Sequence, residues 1–205
     1  MNIKKIILKI LTVIVGTVIA AYGIDLAIHA GFGSATLAVF WQGLAKVLPI
    51  TLGQASLIAA VLMVVFCLFY DRKQIHVGTI IYQLVYSFCI DFFEPYLVYT
   101  DSGVLNFLLM ILGIAILSFG SALYSVADFG RGPYEALTFA FVDRNKFSVK
   151  NVRIILDIAF VAVGMIMGGK IGACTVATIV LSGIMLQVCV KFLKPVFDRI
   201  CRDLG

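Results

Sequence analysis

The stretch "ADFGRGPYEALTFAF", residues 127–141, sets two acids and an arginine around a Gly-x-Gly-Pro break and then runs into apolar residues. It sits in a chain of another character. Of 205 residues, 62% are hydrophobic and 13% charged, and the mean hydropathy is +1.08. A soluble domain carries about 25% charged residues, so this chain lacks the polar surface to cover a soluble core, and lipid is its expected solvent. The question is whether the broken, charged stretch is a working site or a connection between spans.

Crossing a hydrocarbon core takes roughly 20 helical residues. Six segments qualify by length and character: about 6–28, 53–70, 76–93, 104–126, 149–168 and 171–192. Their apolar runs are continuous rather than alternating, which implies helices and not a barrel. Basic residues then fix orientation. All but Lys46 and Lys170 are grouped at the first span's start, between the second and third, between the fourth and fifth, or after the sixth. With six alternating spans these positions share one side, and the positive-inside rule makes both termini cytoplasmic. The basic excess therefore reports topology and headgroup contact, and no nucleic-acid partner is expected. The first apolar stretch is longer than a signal peptide's core of about 7–15 residues. The five cysteines form no C-x-x-C pair and read as small packing residues.

The quoted stretch has a counterpart. "HAGFGSATLAVF" (29–40) aligns with "DFGRGPYEALTF" (128–139), bringing Gly31 onto Gly130 and Gly33 onto Gly132. In the same order "TLGQ" (51–54) matches "SVKN" (148–151), "IHVGT" (75–79) matches "IGACT" (171–175), and "FFEP" (92–95) matches "FLKP" (192–195). The sequence thus predicts an all-α membrane protein of two three-span repeats, 1–97 and 98–205, forming one membrane domain. Three spans is an odd number, so the second copy starts on the opposite side. The repeats are related by inversion, as in many secondary transporters.

Each Gly-x-Gly is expected to end one helix and open a short one of roughly 10–14 residues, too short to span. Ser34 suits an N-cap and Pro133 a first helical turn. Such helices either lie at the interface or dip into the membrane and return. The N-terminus of a half-helix is a ready site for an anionic group. Ordinary turns leading to interfacial helices are the plainer alternative.

"GRGPYEALTFAF" followed by "SVKNVRIILDIAFVAVGMIMGGKIGACTVATIVLSGIML" resembles the YczE/YitT-like family of bacterial integral membrane proteins, best over 128–195. Cys174 stands where that family often has glycine, Tyr134 where it often has tryptophan, and Glu135 where aspartate is common. The resemblance implies a multi-pass protein of the bacterial cytoplasmic membrane and supplies no established activity.

Polar residues in and beside the spans carry two readings each. Asp25 with His29 one turn on is either a proton- or cation-handling pair or an acid solvated at the interface. Arg131 is either one more cytoplasmic charge or a clamp for a carboxylate or phosphate. Asp128 and Glu135 crowd the same break, and Glu135 also lies where it can face its own helix N-terminus. Asp157 either pairs with Arg153 at i,i+4 or holds a coupling ion. Gln54 and Asn151 are matched amides at span starts, capping residues or site residues. Together with Gly31, Gly33, Ser34, Gly130 and Gly132 these are the candidate binding residues. No zinc, nucleotide or serine-hydrolase motif is present, so no enzyme, catalytic residue, cofactor or metal site is expected. The expected function is a small secondary transporter binding a solute or ion between the two breaks, working as a homodimer or with a membrane-protein partner. The alternative is a non-transporting membrane partner, including a substrate-binding subunit of a larger importer.

Overall fold

The computed structural model describes residues 3–97 and 101–203; the expected boundary between the halves, at 97/98, lies at the edge of the described residues. Regular structure there is helical throughout: α1 (Ile3–His29), α2 (Thr36–Val47), α3 (Leu52–Tyr70), α4 (Val77–Phe93), α5 (Gly103–Val126), α6 (Pro133–Asn145), α7 (Val149–Ile166), α8 (Ala173–Ala177) and α9 (Gly183–Asp203). A π-helical turn, Thr178–Ser182, joins α8 to α9 into one continuous rod.

Five helical segments among the described residues are long and apolar enough to cross a membrane: Ile3–His29, Leu52–Tyr70, Val77–Tyr96, Gly103–Val126 and Ala173–Arg202. The segment expected as the fifth of six spans does form a helix, α7. Lys150, Arg153 and Asp157 within its 18 residues keep it below the same measure. Large apolar side chains stand exposed on outward faces, among them Phe69, Phe88, Val104, Ile166 and Phe192. Exposure on that scale is a lipid-facing surface, since water-facing monomers rarely show it. The chain is a membrane protein.

Local chemistry accounts for most helix starts. Thr51 and Gln54 form a reciprocal capping box on α3, and the Ser148 side chain accepts from the Asn151 N–H on α7. The two short helices, of 12 and 13 residues, fall in the expected range, and Pro133 occupies the first turn of α6. Ser34 does not cap α2. Its backbone N–H donates to the Lys170 carbonyl (3.1 Å) and its carbonyl accepts from the Thr175 hydroxyl (2.6 Å). Those bonds pin Ser34 against the segment leading into α8, and the helix starts one residue later with Ala35 as an uncapped N-cap.

The long first helices of the two halves, α1 and α5, run antiparallel in backbone contact. A Cβ on Gly16 would strike the Gly120 carbonyl, and a Cβ on Gly23 the Gly113 carbonyl. Around this pair several contacts are reciprocal, although among the described residues the packing of α3 on α4 has no counterpart between α7 and the α8–α9 rod. α1 lies on α4 and α5 on α9; α2 lies on α7 and α3 on α6. The breaks are clasped in the same reciprocal way. Gly33 (φ +87°) lies against Gly172 before α8, and Gly130 (φ +143°) against Gly78 and Thr79 at the start of α4. Both hold backbone that L side chains rarely adopt, with no room for a Cβ.

Candidate functional site

The N-termini of α2 and α6 open onto one cavity of about 640 Å³. α2 contributes Thr36, Leu37 and Trp41; α6 contributes Pro133, Tyr134 and Glu135. The remaining walls come from α1, α3, α4, α5, α7 and the α8–α9 rod. The volume is in the range of small-molecule sites, roughly 300–1,000 Å³.

Asp157 on α7 ties the two short helices together. Its Oδ1 accepts from the Thr36 hydroxyl at the start of α2 (2.9 Å) and from the Tyr134 hydroxyl at the start of α6 (2.7 Å). The expected i,i+4 pairing with Arg153 gives way to these bonds, because the Arg153 guanidinium lies over the Tyr134 ring, 5.4 Å from its centroid. Neither short helix has a side-chain N-cap bond. Each instead has an acid of the chain beside its N-terminus, Asp157 at α2 and Glu135 in the first turn of α6. The partial positive charges read in the sequence as sites for an anionic ligand are thus already answered from within the protein.

A file of rings crosses the cavity wall. Trp41 meets Tyr86 edge-on (5.9 Å between centroids), Tyr86 stacks on Tyr82 (5.2 Å), and Tyr82 meets Tyr124 (4.6 Å). The Tyr124 hydroxyl stands beside Glu135. Trp41 is only 6% exposed, and its indole N–H has no acceptor within the protein. Deeper in the wall, Gln83 donates to Ser87 (2.8 Å), which shares a hydrogen bond with Ser56 (2.9 Å). The π-helical turn brings Thr178 and Ser182 to the cavity, and Gly183 follows on its wall with nothing within 4 Å of where a Cβ would stand. Single π turns inside helices recur at functional sites.

Of the residues singled out from sequence, Glu135 and Asp157 line this cavity. Gly31, Gly33, Gly130 and Gly132 shape the chain leading into the two short helices and do not line it. Gln54 and Asn151 are exposed at their helix starts. Asp128 is exposed at φ +45°, its carbonyl accepting from Lys9 (3.2 Å). Arg131 is exposed and turned away from the cavity. Its Nη1 donates to Gln74 (2.6 Å) and its guanidinium stacks on Phe139 at 3.7 Å. Gln74 also donates to Asp71 (2.9 Å) and Asp143 (2.8 Å), fastening the loop after α3 to α6. That bond from Gln74, with smaller help from Lys73 and Arg144, holds the Asp71 carboxyl below its ordinary range. Arg131 thus serves the end of the bundle, and the cation at the cavity is Arg153.

Asp25 is fully buried, which removes the reading as an acid solvated at the interface. Neither carboxyl oxygen has a hydrogen-bond partner, and the His29 Nδ1 stands 3.9 Å from Oδ1. Ser34 Oγ is likewise buried without a partner. No group of three His, Cys, Asp or Glu side chains able to hold a metal ion occurs among the described residues.

Trp41, Thr36, Tyr82, Tyr86 and Gly183 were not legible as site residues in the sequence. The only available signal was position. Thr36 and Trp41 follow the first glycine break at the spacing at which Glu135 and Ala140 follow the second.

Comparison with known proteins shows the family and a likeness to an uncharacterized membrane protein. Over 187 residues the chain is 28% identical to the uncharacterized membrane protein YczE of Bacillus subtilis (strain 168), covering 90% of this chain and 86% of that one. The uncharacterized protein YyaS of the same organism is 24% identical over 188 residues, covering 90% and 92%. An uncharacterized protein of Haemophilus influenzae is 27% identical over 159 residues, covering 77% and 72%. No solved structure matches. The resemblance to YczE-like membrane proteins therefore holds across the chain, first half included. The model of the family of unknown function DUF6198 matches residues 7–191, and the chain belongs to that family.

Proposed function

We propose that this protein is a small secondary transporter of the bacterial cytoplasmic membrane, built from two inverted three-span repeats with a solute site between its two short helices. The observation that carries the reading is the Asp157 carboxylate, bonded at once to Thr36 of α2 and Tyr134 of α6 on the wall of a single cavity. The antiparallel α1–α5 pair and the reciprocal contacts of the other helices support the inverted repeat. α7 serves as the sixth span. Its outward face exposes Ile155, Ile158 and Ile166, while Arg153 and Asp157, two of its three charged residues, sit at the cavity. Six spans and the distribution of basic residues put both termini in the cytoplasm. α2 and α6 are re-entrant half-helices whose starts face the site.

A non-transporting partner has no need of an internal cavity lined by charges, and no observation favours it over this reading. The test is a thermal-shift screen of the purified protein in micelles against small cations, anions and metabolites, run beside Gly183→Leu. Gly183 lines the cavity with right-handed helical backbone (φ −65°, ψ −42°) and open space at its Cβ, so leucine fits the fold and narrows the cavity. The expected result is at least one stabilising compound in the wild type and none in Gly183→Leu, with an unchanged melting temperature in the absence of ligand. Stabilisation that persists in Gly183→Leu rules this cavity out as the site.

A further inference from the structure

We infer that the solute is a small organic cation, a substituted ammonium bearing an oxygen acceptor. This rests on the cavity being the solute site and adds its charge and chemistry. Three observations converge.

The first is charge balance. Among the described residues lining the cavity the charged ones are Glu135, Asp157 and Arg153, two carboxylates against one guanidinium. Charge left unbalanced inside a membrane protein is costly. Asp157 already holds two hydroxyl donors and lies one turn from Arg153. Glu135 stands beside the Tyr124 hydroxyl and shares Arg153 with Asp157, so the lining side chains together carry one formal negative charge in excess. A monovalent cation restores neutrality. A zwitterion leaves the surplus in place, and an anion doubles it.

The second is the wall beside Glu135. Trp41, Tyr86 and Tyr82 line the cavity in a file that continues to Tyr124 beside that carboxylate, and Tyr134 adds a fourth lining ring on the α6 side. Aromatic faces attract organic cations, most strongly where water is excluded. A bare metal ion gains little from such walls and would leave most of a 640 Å³ space unfilled.

The third is the Trp41 indole N–H, buried on the same wall without an acceptor. A buried donor with no partner is uncommon. A hydroxyl or carbonyl oxygen on the cation supplies one.

The test uses the full-length protein in micelles and matched probe series. Ethanolamine and its N-methylated forms up to choline are compared with their uncharged carbon isosteres, such as 3,3-dimethylbutanol. They are also compared with glycine betaine and 3,3-dimethylbutyrate, a zwitterion and an anion of similar shape. Cations are expected to raise the melting temperature where the neutral, zwitterionic and anionic analogues do not. Glu135→Gln, which keeps the shape of the side chain, is expected to weaken cation binding by more than about tenfold. Trp41→Phe keeps a ring and is expected to reduce the preference for hydroxyl-bearing cations over tetramethylammonium. Stabilisation by the anion or the zwitterion but not by cations, lost in Gly183→Leu, overturns the charge assignment and leaves the cavity reading standing. Cation binding unchanged in Glu135→Gln also overturns it. If no probe of any charge binds, the cavity reading falls and takes this inference with it.

Discussion

Gly23→Leu is expected to prevent the folded protein from accumulating. α1 and α5 are the antiparallel pair on which the rest of the bundle is assembled, and they touch through backbone at Gly23–Gly113 and Gly16–Gly120. A Cβ on Gly23 would overlap the Leu117 N–H and come within 2.8 Å of the Gly113 carbonyl. These are backbone atoms of a packed helix and cannot turn aside as a side chain would. Overpacking against side chains costs about 1–3 kcal/mol. Here the whole helix must back away, forfeiting close van der Waals contact, a main source of helix association in lipid. The expected cost exceeds that range. Size-exclusion chromatography in mild detergent is expected to show a monodisperse wild type and Gly23→Leu aggregated or absent, and thermal unfolding to show a lowered melting temperature for Gly23→Ala. Gly183→Leu is the control, the same exchange where space is open. Wild-type stability in Gly23→Leu contradicts the α1–α5 interface described here.

Asp157→Leu is expected to cost about 1.5–3 kcal/mol, the range for losing hydrogen bonds to a charged group, here one that is half-buried on the cavity wall. The exchange removes both bonds to Oδ1, leaving the Thr36 and Tyr134 hydroxyls without that acceptor, and it removes one of the two carboxylates that accompany Arg153. Asp157→Asn separates the parts of that effect. Its side-chain oxygen still accepts from both hydroxyls, so the link between α2 and α6 survives while the charge does not. Thermal unfolding in micelles is expected to rank wild type and Asp157→Asn close together and Asp157→Leu well below. Equal stability of Asn and Leu means that Asp157 does not tie the short helices.

The sequence was most informative where structure is local. Gly31, Gly33 and Gly130 marked the breaks because positive φ leaves glycine few substitutes, and at Gly33 and Gly130 close backbone contact adds to it. Thr51 with Gln54, Ser148 with Asn151, and Pro133 marked helix starts through bonds or ring constraints spanning three residues or fewer. The site was less legible because its contacts are long-range. Thr36 and Asp157 are 121 residues apart, and nothing near either one announces the other. Arg131 was the natural candidate for a site cation because it sits inside the glycine break. Its partner Gln74 comes from a loop 57 residues earlier, and that contact draws it to the end of the bundle. Ser34 was a sound N-cap by residue type, but its backbone is engaged with Lys170 and Thr175 of the other half. The charged residues of the cavity all come from the second half, whereas Trp41, Tyr82 and Tyr86 come from the first. The cavity is thus unequal along the chain, with its charges from the C-terminal part and much of its aromatic wall from the N-terminal part.

The most direct measurement of the central claim, a solute cavity that opens in turn to each side of the membrane, is labelling at position 183. Gly183→Cys in a background with Cys189 and Cys201 replaced by serine puts a thiol on the cavity wall, and the remaining cysteines are buried. A membrane-impermeant maleimide is applied to right-side-out and to inside-out vesicles. The expected result is labelling from both sides, each slowed by a bound solute. Labelling from one side only, or from neither, contradicts alternating access.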